Sequence, residues 1–197
     1  MKFQRIFIAS FITFILLNAA TFWIFLNKSP SVLGLPRLGK VADFTLLDQD
    51  AQPFGLKDLK NKIWVTDFIF STCGGICPLM SKNMAQLNRS FALLQDEVGF
   101  VSFSVNPEND SPDRLKAYSK EYQANSRVWK FLTGPRQDIE RLALHSFKIG
   151  SVDNIVMHSA YFVLVDRRGN IRGYYEGTEK KEIDRLFKDI ALLLKEK

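Results

Sequence analysis

Apolar residues are spread unevenly along the chain. From Ile6 to Asn27 run twenty-two residues without an ionisable side chain, with Ser10, Thr13, Asn18, Thr21 and Asn27 as the only polar interruptions. A helix of that length is long enough to span a hydrocarbon core about 30 Å thick. Asn18-Ala19-Ala20 is followed by the bulky Thr21-Phe22-Trp23-Ile24-Phe25-Leu26, unlike a signal peptide ending at small residues, so the segment reads as an uncleaved anchor. Lys2 and Arg5 precede it, which by the positive-inside bias puts the first residues in the cytoplasm and the remainder outside. Residues 29–40, SPSVLGLPRLGK, hold two Pro and two Gly without a helical or strand period and read as a tether. The expected organisation is a cytoplasmic start and transmembrane helix over 1–28, a tether over 29–40 and a globular domain over 41–197.

Within that domain the apolar pattern changes period repeatedly. DFTLLD (43–48), IWVTDFIF (63–70), VGFVSFSV (98–105) and AYFVLVD (160–166) are short runs rich in β-branched and aromatic residues, and VWKFLTG is a shorter one closed by Gly134. A helix is expected after Pro78, another from Ser111-Pro112-Asp113, and a third over Gln137–Phe147 with Ile139, Leu142, Ala143 and Phe147 on one face. Arg168-Gly169-Asn170 marks a hairpin turn between AYFVLVD and IRGYYEG, and an amphipathic helix follows from about Glu179 to Leu194. Strands alternating with helices, then a hairpin and a last helix, define an α/β fold with a mixed sheet covered by helices on both faces.

Composition narrows the chemistry. The 197 residues are 46% apolar and 24% charged, which suits one ordinary domain with an extension. Two cysteines are too few for a disulfide-rich mini-protein or a four-thiolate zinc site. Lys2, Arg5 and Lys28 carry half of the net charge of +6, and the remaining Lys and Arg are interleaved with acids, so no nucleic-acid surface is indicated. The residues of RRGNIRGYYEG are explained by a polar hairpin turn with strand tyrosines rather than by base stacking.

The cysteines lie in FSTCGGICPLMS, Cys73 just past a strand and Cys77 before a proline suited to the first turn of a helix. Unpaired amides and the helix dipole favour thiolate over thiol there, making the sulfur a better nucleophile and metal ligand. Gly74 and Gly75 allow backbone conformations forbidden to other residues, so the loop can close two sulfurs on an ion or into a disulfide. Of the two histidines, His145 falls on the polar side of its helix, whereas His158 precedes the strand AYFVLVD in an irregular segment. Soft thiolates with an imidazole suit copper. Met80, Met84 and Met157 are potential thioether donors, but packing explains them better. Asp67 interrupts an apolar strand, either as a buried acid able to take a proton from a dithiol or as the mark of a half-exposed strand.

FIFSTCGGICPLMS, SFSVNPENDSP, WKFLTG and MHSAYFVLVDRRGNIRGYYEG resemble, in order and spacing, the Sco (SenC-type) family of membrane-tethered, thioredoxin-like copper proteins, and the similarity runs from about Gly39 to the C-terminus. The resemblance implies a thioredoxin-like fold and one copper ion, Cu(I) or Cu(II), held by Cys73, Cys77 and His158. It implies a role as copper donor to, or reductant of, the binuclear copper centre of cytochrome c oxidase. Expected partners are the copper-centre subunit, other copper chaperones or thiol reductants, and a bacterial cytoplasmic membrane with the domain on its periplasmic side. The chain departs from the family pattern at Gly74-Gly75, where many members have Pro-Asp, and at Asn106, where an aspartate is usual. The alternative is an extracytoplasmic thiol–disulfide oxidoreductase in which Cys73 attacks, Cys77 resolves and His158 is dispensable. A peroxide-reducing thioredoxin relative is a third and weaker reading.

Overall fold

The computed structural model describes Asn18 and residues 34–150 and 160–196. The chain divides into two units, 1–34 and 35–197, and only Asn18 and Gly34 of the first are described. The expected transmembrane helix therefore lies outside the described residues. Among those described, no helix is long and apolar enough to cross a membrane.

In the second unit, alternation along the strands builds two cores on one sheet. β4 (Ile63–Ile69) and β5 (Val98–Ser104) are buried along their whole length and pair in parallel, from Ile63 opposite Val98 to Ile69 opposite Ser104. β6 (Trp129–Leu132) continues the parallel set beyond β5. β7 (Tyr161–Val165) runs antiparallel on the other side of β4, followed by β8 (Asn170–Glu176) and the two-residue edge strand β1 (Gly39–Lys40). The sheet order is β1-β8-β7-β4-β5-β6, and β2 (Thr45–Leu47) and β3 (Pro53–Gly55) form a separate antiparallel pair. The expected turn after β7 is present, with Gly169 at φ +77° where a side chain would be strained.

On one face Val65, Ile69, Phe100, Phe131 and Phe162 meet α2 (Cys77–Ser90), α3 (Pro112–Glu121) and α5 (Lys180–Lys195). On the other, Trp64, Phe68, Val101, Phe103 and Val163 meet Leu46, Phe54, Ile139, Leu142 and Phe147. Burying each such side chain contributes roughly 1.5–3 kcal/mol. The large ring of Trp64 covers Gly99, where an added Cβ would lie 2.3 Å from the indole. Helices on both faces of a mixed sheet agree with the sequence expectation.

The helix expected over Gln137–Phe147 divides in two. α4 (Arg136–Arg141) is followed by a wider π-helical turn over Leu142–Ser146, and the Phe147 N–H donates to the Leu142 carbonyl at 2.9 Å. The expected strand over 43–48 is present as β2, whereas the short helix α1 (Leu56–Leu59) and the strand β3 that pairs with β2 were not expected. The expected tether also ends earlier than residue 40. Leu38 N–H donates to the Ile171 carbonyl, Gly39 and Lys40 pair with β8, and the Leu35 and Pro36 carbonyls accept from Arg172. Two residues of edge strand have no period to read, so a partner far along the chain decides their state.

Arg172 is 5% exposed and also donates to Asp166 and Glu196. Arg172→Met leaves those carboxylates without their cation and is expected to cost about 3 kcal/mol, removing one partner from a buried pair being strongly destabilising. Urea denaturation checks it; a loss under about 0.5 kcal/mol, the size of an ordinary surface change, would overturn it.

Candidate metal and dithiol site

Cys73 and Cys77 bracket the passage from β4 to α2, at the carboxyl end of the parallel strands where open α/β sheets form their sites. The loop leaves β4 through Phe70, whose carbonyl accepts from Cys73 N–H at 3.1 Å. Cys77 then opens α2 with Pro78 behind it, as expected. Helix amides at this end lack intrahelical acceptors and present positive charge to the sulfurs.

The two thiols differ sharply. Cys73 is partly exposed and Cys77 is 2% exposed. Burial opposes ionisation of Cys73, but the Cys77 thiol and the backbone amides of Cys77, Gly75 and Ile76 stabilise its thiolate and hold its pKa below the usual thiol value. Burial pushes Cys77 up to about 12, reinforced by the neighbouring Cys73 sulfur and by the charge of Asp67. The pair therefore loses one proton readily, from Cys73, and keeps the other.

The glycines between them do not act as expected. Neither Gly74 nor Gly75 has a positive φ. A Cβ on Gly74 would meet nothing within 4 Å, and one on Gly75 would lie 3.8 Å from Cys73 Sγ. Neither the backbone nor the neighbours therefore require glycine at these two positions.

A buried carboxylate braces this loop. Asp110, fully buried, accepts from Ser71 N–H at 3.0 Å, Ser71 Oγ at 2.5 Å and Ser104 Oγ at 2.5 Å, and Arg114 Nε donates to Ser71 Oγ at 3.2 Å. It ties the residues just ahead of Cys73 to the end of β5. Sequence reasoning singled out Asn106 here and missed Asp110. Asn106 instead closes its own turn, donating through N–H to Ser104 Oγ and accepting from Asn109. The neighbouring Ser111-Pro112 helix start was the signal available, but thirty-nine positions separate Asp110 from Ser71.

Asp67 is fully buried, as is Thr66, so the half-exposed alternative is excluded. It stands opposite Ser102 in the β4–β5 register, on the face that α2 covers. Neither carboxylate oxygen has a hydrogen-bond partner among the described residues. Ser102 Oγ instead accepts from Trp129 Nε1 at 3.0 Å. Burial pushes Asp67 up to about 7, and the nearby Ser102 hydroxyl offsets only part of this.

His158 and Met157 lie outside the described residues. His145 is exposed, in keeping with a solvated face, and Met80 and Met84 are both at 0% exposure in the core, as packing explains them. No group of three or more His, Cys, Asp or Glu that could hold a metal occurs among the described residues.

A mixed sheet with helices on both faces and a dithiol at the start of a helix defines a thioredoxin-like dithiol protein. The SCO1/SenC family model matches residues 36–195, so the chain belongs to that family. It is 36% identical over 156 residues to the SCO1 protein homolog of Bacillus subtilis, covering 77% of this chain and 81% of the relative. The structure of BsSco, a member of the Sco family of cytochrome c oxidase assembly proteins in which a disulfide switch was identified, superposes with a TM-score of 0.73 at 34% identity, covering 84% of this chain and all of that one. Yeast Sco1 with copper bound shares the fold, with a TM-score of 0.62 at 24% identity over 80% of this chain and 95% of that one.

Proposed function

We propose that this chain is a membrane-anchored Sco protein that binds copper and serves in assembling the copper centre of cytochrome c oxidase. The carrying observation is the unequal thiol pair at the start of α2, one partly exposed sulfur whose ionisation backbone amides favour and the other buried beside it. Two soft donors suit copper, and His158 is assigned as the third ligand from the family pattern. The relatives support the reading: one solved Sco holds copper and another belongs to a family of oxidase assembly proteins. Residues 6–27 would anchor the chain in a bacterial cytoplasmic membrane, residues 29–34 would link it to the domain, and the domain would face the periplasmic side. Copper is cargo here. The partly exposed Cys73 would let an acceptor's thiols approach, and binding would require Cys77 to release its proton, making affinity rise with pH.

The thiol asymmetry also favours a second reading, reduction of the acceptor's disulfide. Cys73 thiolate would attack one acceptor sulfur, forming a mixed disulfide and releasing the other sulfur as thiolate. Cys77, giving up its proton, would then attack the Cys73 sulfur and expel the acceptor sulfur bound to it, leaving a Cys73–Cys77 disulfide and the acceptor reduced by two electrons.

His158→Ala separates the two. In the purified protein it is expected to lower retention of Cu(I) and Cu(II) by about 10-fold or more, the size of losing one tenfold step or more of binding energy, while disulfide reduction continues at the wild-type rate. Unchanged metal retention would remove His158 from the site and favour the dithiol acting alone.

A further inference from the structure

The end of the sheet opposite the thiols carries a cationic surface. β4 begins there at Ile63 and runs seven residues toward the cysteine loop, a length of about 20 Å. Several segments converge at this end. Asn61 N–H donates to the Arg167 carbonyl at 3.0 Å, Ile63 N–H to the Glu97 carbonyl at 2.8 Å, and the Arg167 guanidinium to the Leu193 carbonyl at 2.7 Å. Three carboxylates are already taken: Asp166 and Glu196 by Arg172, and Glu97 by Arg167.

Arg37, Lys60, Arg168 and Lys195 remain exposed with no ion-pair partner among the described residues, and the exposed Asp96 offsets one of these charges. Arg37, Arg167 and Arg168 border a small cavity of about 90 Å³. Beside this surface Leu93 is 99% exposed, in the turn ahead of β5, where the Gln95 carbonyl accepts from Lys62 Nζ at 2.8 Å. A bare leucine at the same end of the sheet as unpaired cations is the composition of a surface that meets a lipid interface, where phosphates take the charge and the boundary takes the apolar side chain. The covalent path agrees: the seven residues Lys28–Gly34 separate the apolar run from Leu35, whose carbonyl Arg172 holds at this same end, and extended they reach at most about 25 Å.

We propose that this end of the domain docks on the anionic surface of the membrane, with Arg37, Lys60, Arg168 and Lys195 on lipid phosphates and Leu93 at the acyl boundary. The inference rests on the anchor proposed above. Docking holds the thiols roughly 20 Å above the headgroups, where an acceptor can reach them.

Amide hydrogen exchange of the full chain tests this, in discs of phosphatidylcholine alone or mixed with phosphatidylglycerol at about 7:3. Exchange over residues 91–97 and 166–170 is expected to slow only with the anionic lipid, while residues 71–77 exchange alike in both. Arg37→Gln with Arg168→Gln should lower the docked-to-undocked ratio about 25-fold, about fivefold for each charge, and Leu93→Ser should lower it further. Equal exchange in the two kinds of disc, or no effect of the paired Arg→Gln changes, overturns the proposal while leaving the anchor intact. Failure of the anchor shows separately, as chain that elutes apart from phosphatidylcholine discs. The surface then stands if low-salt sedimentation with phosphatidylglycerol vesicles occurs and is lost in the Arg→Gln variant, and falls otherwise.

Discussion

Iodoacetamide at pH 8 is expected to alkylate Cys73 at least about a hundredfold faster than Cys77 in the native, metal-free protein, because only thiolates react and a thiol near pH 12 is about 0.01% ionised there. Cys73 is partly exposed and its thiolate accepts from the amides of Gly75, Ile76 and Cys77, so its labelling should reach half-maximal rate below the ordinary thiol value. Exposure and ionisation act in the same direction. The pair releases its first proton from Cys73, and the negative charge left there opposes release of the second. In Cys73→Ser that opposition is gone and Cys77 should react faster, though burial still restrains it. Peptide mass spectrometry over a series of pH values reads both sites. Equal rates in the native protein would show that the helix start does not separate the thiols.

Asp67→Asn should change the pH dependence of stability by an amount on the order of 4 kcal/mol. Asp67 is pushed up to about 7 in the fold, against 3.8 for the free side chain. Below about pH 4 both folded and unfolded forms hold the proton. Between there and about pH 7 the unfolded chain loses it while the folded chain keeps it, so stability falls as pH rises through this window, and above it the loss is complete. Three units at 1.36 kcal/mol each set the scale. An amide cannot ionise, so the stability of Asp67→Asn minus that of the parent should climb from pH 4 to pH 8. Any constant effect of the amide itself cancels from that change. Urea denaturation at each pH reads it, and a flat difference would mean that Asp67 ionises in the fold as easily as in water.

These residues also show where local pattern ends. The strands 63–70 and 98–105, the hairpin turn at Gly169 and the helix beginning at Cys77 were legible because each depends on neighbours in the chain: alternation, turn residues and a proline in a first turn. The dithiol was legible for the same reason, since Cys73 and Cys77 share one loop and one helix start. The switch of the 137–147 helix into a wider turn was not, because the inward packing of Leu142, Ala143 and Phe147 against the second face selects it.

Periodicity and the spacing of the cysteines thus settled the α/β class and two reactive sulfurs at a helix terminus, since residues a few positions apart dictate both. The folded chain alone decided the rest. Parallel pairing of β4 with β5 buries Asp67 without a hydrogen-bond partner among the described residues, and Asp110 reaches thirty-nine residues back to brace the loop ahead of Cys73. Alternation says that a strand has two faces, but which elements cover each face depends on contacts between distant segments, and those contacts set the dielectric and hydrogen bonding that make one thiol acidic and leave the other protonated.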